Sequence, residues 1–246
     1  CRSLTDLDIS SFDTSNATAM RSMFQSCGKL TELNLTGFNT SKIHNMNGMF
    51  SRCSNLKTIY VSDKFETTKV TNSTNMFLND TNLVGGNGTV YDYNNIDKTY
   101  ARIDGGVSSS GYFTDGSIPV IKNINNTSTS NSIKVIANTY VPNRDNISKI
   151  EFSVDGGNMW YEQADSSVAS NIYAFTNLNA NTNYKISIRV TSENNKVKTE
   201  EYEFKTKLIN APTYTEDIYG TVEITYPTIE VDNSNTLSCS NGLTCD

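Results

Sequence analysis

The sequence predicts a multidomain, mainly-β chain: an N-terminal α/β solenoid, one strand and one short helix per unit, followed by an antiparallel β-sandwich. Cys1, Cys27 and Cys53 stand 26 residues apart (27−1 and 53−27), and the apolar residues around them keep that spacing. From Ile118 the period vanishes, and alternating strand-like runs separated by polar turns at roughly ten-residue intervals replace it. A charged fraction of 19% with 36% hydrophobic residues over 246 residues suits folded material rather than a disordered tail.

The repeat shows in three columns: Leu4, Leu30, Leu56; Leu7, Leu33, Ile59; and Ile9, Leu35, Val61. Phe12 and Phe38 keep the register, whereas Phe65 falls one residue late, which places a single insertion near Asp63–Lys64. Met23, Met49, Met76 and Phe24, Phe50, Phe77 continue it, and Leu83 closes the third copy. A unit this short cannot bury its own apolar face and must stack on its neighbours. Within a copy, Leu7 and Ile9 share one side of an extended strand, and Asp6, Asp8 and Ser10 point the other way. Met20, Met23, Phe24 and Cys27 fall at i, i+3, i+4 and i+7, the stripe of a short amphipathic helix, repeated by Met46, Met49, Phe50 and Cys53. Asp13–Asn16 and Asn39–Ser41 are turn formers.

The second copy, Leu30-Thr31-Glu32-Leu33-Asn34-Leu35-Thr36-Gly37-Phe38-Asn39-Thr40-Ser41 then Met46-Asn47-Gly48-Met49-Phe50-Ser51-Arg52-Cys53, resembles the BspA-like subclass of leucine-rich repeat bacterial surface proteins. The stretch from Leu83 through Tyr100–Asp104 to Gly111-Tyr112-Phe113-Thr114 is similar to that family's end cap, so the resemblance spans about the first 115 residues. Asp80 replaces the repeat cysteine and Ser73 the first methionine in the third copy, as suits a terminal unit facing a cap. The resemblance implies a cell-surface protein that adheres to host cells, matrix proteins or other bacteria.

Seven strands are predicted beyond Ile118: Val120–Ile124, Ser132–Ala137, Ile147–Val154, Met159–Gln163, Ile172–Phe175, Tyr184–Thr191 and Lys198–Lys205. Asp155-Gly156-Gly157 marks a hairpin, with Trp160 packing across or beside it. Leu178-x-Ala180-x-Thr182-x-Tyr184 resembles the corner of fibronectin type III domains, which implies that the Tyr184 hydroxyl anchors the preceding loop. Ala180 stands where that family prefers proline, which leaves a related immunoglobulin-like sandwich open. After Asn210-Ala211-Pro212, the runs Val222–Tyr226 and Ile229–Val231 and a possible Cys239–Cys245 disulfide suggest a partial immunoglobulin-like module. The expected domains are 1–117 (about three repeats and a cap), 118–207 (sandwich) and 208–246 (linker and partial module).

A net charge of −6 without a basic cluster argues against nucleic acid, and no apolar run is long enough to insert in a membrane. The repeat cysteines read as buried, reduced packing thiols. His44 reads as a tolerated surface residue, and Gly85-Gly86-Asn87-Gly88 lacks the Lys-Ser/Thr of a phosphate loop. The chain is therefore expected to be non-catalytic, without metal or cofactor, and extracellular: at the cell surface or secreted. Its expected binding residues are the outward ladder Asp6, Asp8, Glu32, Asn34, Thr58 and Tyr60, facing a protein or glycan on host or neighbouring cells. Three strands of five residues offer on the order of 250 Å², against about 800 Å² per partner in a standard interface. Hence weak binding is expected of this stretch, with more copies upstream in the intact protein. The alternatives are a purely structural spacer and an accessory region of a secreted glycosidase.

Overall fold

The computed structural model describes residues 2–163, 170–209, 213–216 and 222–225. Strands β1 (Glu32–Asn34), β2 (Thr58–Val61) and β3 (Phe113–Asp115) form a parallel sheet in the order β1-β2-β3. Its register follows the repeat, with Leu33 opposite Ile59 and Asn34 opposite Tyr60, and Ile59 then lies opposite Phe113. Successive copies are also tied layer to layer away from the sheet. The N–H groups of Met20, Ser22, Phe24 and Ser26 donate to the carbonyls of Asn45, Asn47, Met49 and Ser51, and those of Met46, Gly48, Phe50 and Arg52 to Asn72, Thr74, Met76 and Leu78. Phe24, Phe50 and Phe77 consequently stack in a column, with centroids 5.8 and 5.4 Å apart. Buried Thr14 and Thr40 peg the layers together: each hydroxyl donates to a carbonyl of the next copy (Asn39, 3.1 Å; Glu66, 2.7 Å) and accepts that residue's N–H.

The expected fold class, a strand-plus-helix solenoid, is overturned. Among the described residues there is no α-helix, and the two helical elements are single 3-10 turns, Lys98–Tyr100 and Gly106–Ser108, both beyond the third copy. The Met/Phe/Cys stripes are runs of turns instead. Ser22, Gly48 and Asn75 take positive φ, as do Ser26, Arg52 and Asn79, so a left-handed residue interrupts the chain every four positions and prevents a helical run. In the first two copies alternate backbone donors go to the next layer, and those between them, of Met23, Gln25, Cys27, Met49, Ser51 and Cys53, close turns onto i−3 instead of i−4. The sheet has one strand from the second copy, one from the third and one from the cap, and Leu7–Ile9 of the first copy is outside it.

In the cap, Asp104 gathers the chain: its carboxylate accepts from the N–H groups of Asn87, Thr89 and Gly106 and from the Thr89 hydroxyl. Gly85 passes so close that a Cβ there would lie 2.1 Å from the Gly111 carbonyl oxygen. Tyr112, fully buried, meets the Phe77 ring edge-on.

The second unit is a two-sheet, immunoglobulin-like sandwich. Strands β4 (Val120–Ser128), β5 (Ile133–Tyr140) and β8 (Ser170–Phe175) form one sheet in the order β4-β5-β8. Strands β6 (Ile147–Ser153), β7 (Tyr161–Glu162), β9 (Asn183–Ser192) and β10 (Val197–Lys205) form the other in the order β10-β9-β6-β7. Ile133, Val135 and Ala137 from the first sheet and Ile150, Phe152, Ile186, Ile188 and Val190 from the second fill the core. Gly156 and Gly157 supply the positive φ of the β6–β7 hairpin, and Arg189 sits 4.0 Å above the Trp160 ring. The Tyr184 hydroxyl accepts the Asn179 N–H at 2.8 Å, so it does fasten that loop. Two more strands, β11 (Thr213–Glu216) and β12 (Val222–Thr225), pair as an antiparallel hairpin. Cys1, the Asn210–Pro212 linker, the Ile229–Val231 strand and the Cys239–Cys245 pair lie outside the described residues.

Candidate functional site

The ladder that sequence reasoning picked out as the binding face carries the junction between the two units. β1 and β2 alternate, so Leu33 and Ile59 enter the core while Glu32, Asn34, Thr58 and Tyr60 come out on the other side of the sheet. Onto that side folds the start of the sandwich. Lys122 of β4 bonds both oxygens of Glu32 (2.6 and 2.5 Å), and its ammonium stands 5.4 Å from the Tyr140 ring. Asn34 donates its amide to the Pro142 carbonyl at 2.6 Å. Gly116 donates to the Val61 carbonyl and accepts the Asn143 N–H, both at 2.9 Å. A Cβ on Gly116 would fall 2.1 Å from the Thr36 methyl, so the chain crosses here only as glycine.

Tyr60 corrects the expectation of an open row: it is 7% exposed. Burial raises its phenol pKa, aided by Tyr140 and the Glu32 carboxylate, so it stays neutral. The Lys122–Glu32 pair is over a third exposed, and with a neighbouring ring and carbonyls it fixes register more than it stabilises. Thr58 is half-buried beside Glu32. Asp6 is exposed, and its carboxylate accepts the adjacent Leu7 N–H.

Asp8 stays open. Its carboxylate is held below the usual range by the Ser10 hydroxyl and Ser10 N–H, and it faces Arg144 of the β5–β6 loop at 3.5 Å. Between the Leu7–Ser10 stretch, the Asn34–Phe38 stretch, Lys64 and the Asn143–Arg144 loop lies a cleft of about 300 Å³. Both units line it. The structure therefore brings Asp8 and Asn34 together in this cleft, leaves Asp6 at its margin, turns Glu32 and Tyr60 toward the sandwich and keeps Thr58 beside Glu32.

Sequence reasoning missed Lys122, Tyr140, Pro142, Asn143 and Arg144, which lie in β4, at the end of β5 and in the turn after it, all assigned to a separate domain. Pro142-Asn143 between two strands signals a turn, but nothing local says what the turn touches. It also placed Asp80 toward a cap. Asp80 is instead fully buried, accepts the Cys53 N–H at 2.8 Å and leaves its other oxygen without a partner, so burial pushes its pKa up to about 8. Cys27 and Cys53 are free, buried thiols; Cys53 donates to the Phe24 carbonyl, and burial pushes its pKa up to about 12. His44 is exposed.

Residues 1–103 match a family described as "Mycoplasma protein of unknown function, DUF285". That match, not a BspA-like leucine-rich repeat, is what the N-terminal unit resembles, and with the absence of a helix per copy it replaces the earlier resemblance. No curated protein sequence matches the chain. Among solved structures, the PKD1 domain of Vibrio anguillarum Epp is 12% identical, with 38% of this chain and 99% of that chain covered, at a TM-score of 0.29. The PKD domain of an M14-like peptidase from Thermoplasmatales archaeon SCGC AB-540-F20 is 18% identical, with 37% and 93% covered, also at 0.29. A structure titled "Myokine structure" is 18% identical, with 38% and 99% covered, at 0.28. At these scores the likenesses carry no weight for fold or function. No helix of the described residues is long and apolar enough to cross a membrane.

Proposed function

We propose that this chain is a non-catalytic binding segment of an extracellular surface protein, in which the sandwich is a brace for the layered unit and the ligand is met at the cleft between them. The observation that carries this reading is the division of the ladder. Glu32, Asn34 and Tyr60 are engaged by the sandwich, while Asp8 and Ser10 remain exposed and open onto a cleft with Arg144 and Lys64. A face so divided is too small for a standard protein interface of about 800 Å² per partner. A cleft of about 300 Å³ is at the small end of ligand pockets. The acidic surface, rich in Asn, Ser and Thr, and the immunoglobulin-like sandwich agree with an extracellular setting.

The test is binding of this segment to a glycan array and to a coat of extracellular-matrix protein, beside an Asp8→Ala/Arg144→Ala variant. Binding that the double variant loses supports the reading; binding that survives it, or hydrolysis of an arrayed glycan, contradicts it. A second reading, a spacer, is favoured by the engagement of Glu32, Asn34 and Tyr60, which couples the two units. It gains if no immobilised ligand is bound.

A further inference from the structure

The chemistry of the cleft narrows the ligand, and this step rests on the binding reading above. Asn34 and Asn143 are already committed: Asn34 to Pro142 and Thr36, Asn143 to both ends of Asp145. The cations are less committed. Arg144 reaches only the near oxygen of Asp8, at 3.5 Å, with its side chain 67% exposed and that of Asp8 74% exposed. An exposed pair this long is weak and exchanges easily for a better partner. The guanidinium is a planar fork that fits a carboxylate through two parallel bonds. Lys64, which also lines the cleft, adds a second positive charge in a chain whose net charge is −6. When Arg144 turns to an incoming anion, Asp8 and the Ser10 hydroxyl are left as partners for hydroxyl groups a few ångströms away.

We infer that the cleft binds an acidic sugar residue, its carboxylate on Arg144 and Lys64 and its ring hydroxyls on Asp8 and Ser10. One pyranose fits a space of about 300 Å³. The charge on the sugar, not its ring, supplies the selectivity, because a neutral isostere offers the guanidinium no carboxylate to fork and leaves it on its long pair with Asp8.

The test titrates the whole segment with methyl β-glucuronide and with methyl β-glucoside, which differs only in lacking the carboxylate, following amide shifts by NMR and affinity by calorimetry. Expected are shifts at Asp8, Ser10 and Arg144 with the glucuronide, an affinity for the glucoside at least about tenfold weaker than for the glucuronide, and weakening of glucuronide binding as salt rises. Arg144→Gln should weaken glucuronide at least about tenfold and Lys64→Gln less, while Lys134→Gln, an exposed cation on β5, should change nothing. Equal affinity for the glucoside, an unchanged Arg144→Gln variant, or no shifts at these residues overturns the inference. Inorganic sulfate or polyglutamate binding as tightly as the glucuronide also overturns it, by making the cleft a general anion or acidic-peptide site. If the array test finds a ligand and the glucuronide fails, the inference falls and the binding reading stands; if the array is empty too, both fall.

Discussion

Replacing Asp80 by asparagine should change how the stability of the layered unit depends on pH. Asp80 is buried where the repeat otherwise carries cysteine, with one oxygen bonded to the Cys53 N–H and the other unpartnered. Burial raises its pKa from 3.8 to about 8, so folding favours the neutral acid. The group therefore contributes stability that is fully present below the unfolded value and is lost as pH rises toward the folded one. Across pH 5 to 7 the unfolded chain is ionised and the folded carboxyl is not. The loss is about 1.4 kcal/mol per pH unit, or about 3 kcal/mol over that window. Asparagine keeps an acceptor for Cys53 and removes the titration, with a pH-independent offset of about 1 to 3 kcal/mol for the buried amide N–H left unpaired. Urea unfolding followed by far-ultraviolet circular dichroism at several pH values, with Trp160 fluorescence reporting the sandwich separately, gives both curves. The wild-type curve should fall relative to Asp80→Asn by about 3 kcal/mol between pH 5 and 7. Parallel curves would refute the buried neutral acid.

Gly116→Ala should push the junction apart, because the new methyl would meet the Thr36 methyl at 2.1 Å and the Val61 carbonyl oxygen at 3.1 Å; amide exchange at Asn143 should accelerate, and unchanged protection would contradict the close crossing. Phe50→Ala, at the centre of the stack, should cost about 3 to 5 kcal/mol in urea unfolding. Tyr184→Phe should cost about 1 kcal/mol of sandwich stability, read by Trp160 fluorescence on heating. Glu151, 7% exposed in its side chain, has its pKa lowered by Arg189 and then Lys149, so its contribution is present above the usual carboxylate pKa of 4.5 and lost as pH falls below it. Glu151→Gln should cost about 3 kcal/mol at neutral pH and flatten the acid limb of the sandwich's melting curve.

The period was legible because a short unit must place like residues over like. Leu33 does stand opposite Ile59, and Phe24, Phe50 and Phe77 form one column. The helix was misread for a definite reason. A stripe at i, i+3, i+4 and i+7 arises from an α-helix, but also from turns repeated every four residues, each bonded to the next layer. Gly48, Asn75 and Asn79 hint at the left-handed positions, yet the equivalent places in the first copy hold Ser22 and Ser26, which give no such hint. The sandwich strands were legible from alternation, while the Tyr184 anchor came only as an implication of the resemblance to the fibronectin type III corner. What covers the ladder was not. Glu32 and Lys122 are 90 residues apart (122−32), and an outward polar row reads the same whether it meets water or another domain. Tyr60, the one aromatic in that row, was the available signal.

The most direct test of the account is zero-length carbodiimide coupling of the intact segment, followed by mass spectrometry of its peptides. An amide between Lys122 and Glu32 is predicted, since the ammonium and carboxylate are 2.5 Å apart, alongside the Lys149–Glu162 control at 3.4 Å within the sandwich. Coupling of the control without any Lys122–Glu32 product would mean that the sandwich does not sit on the ladder.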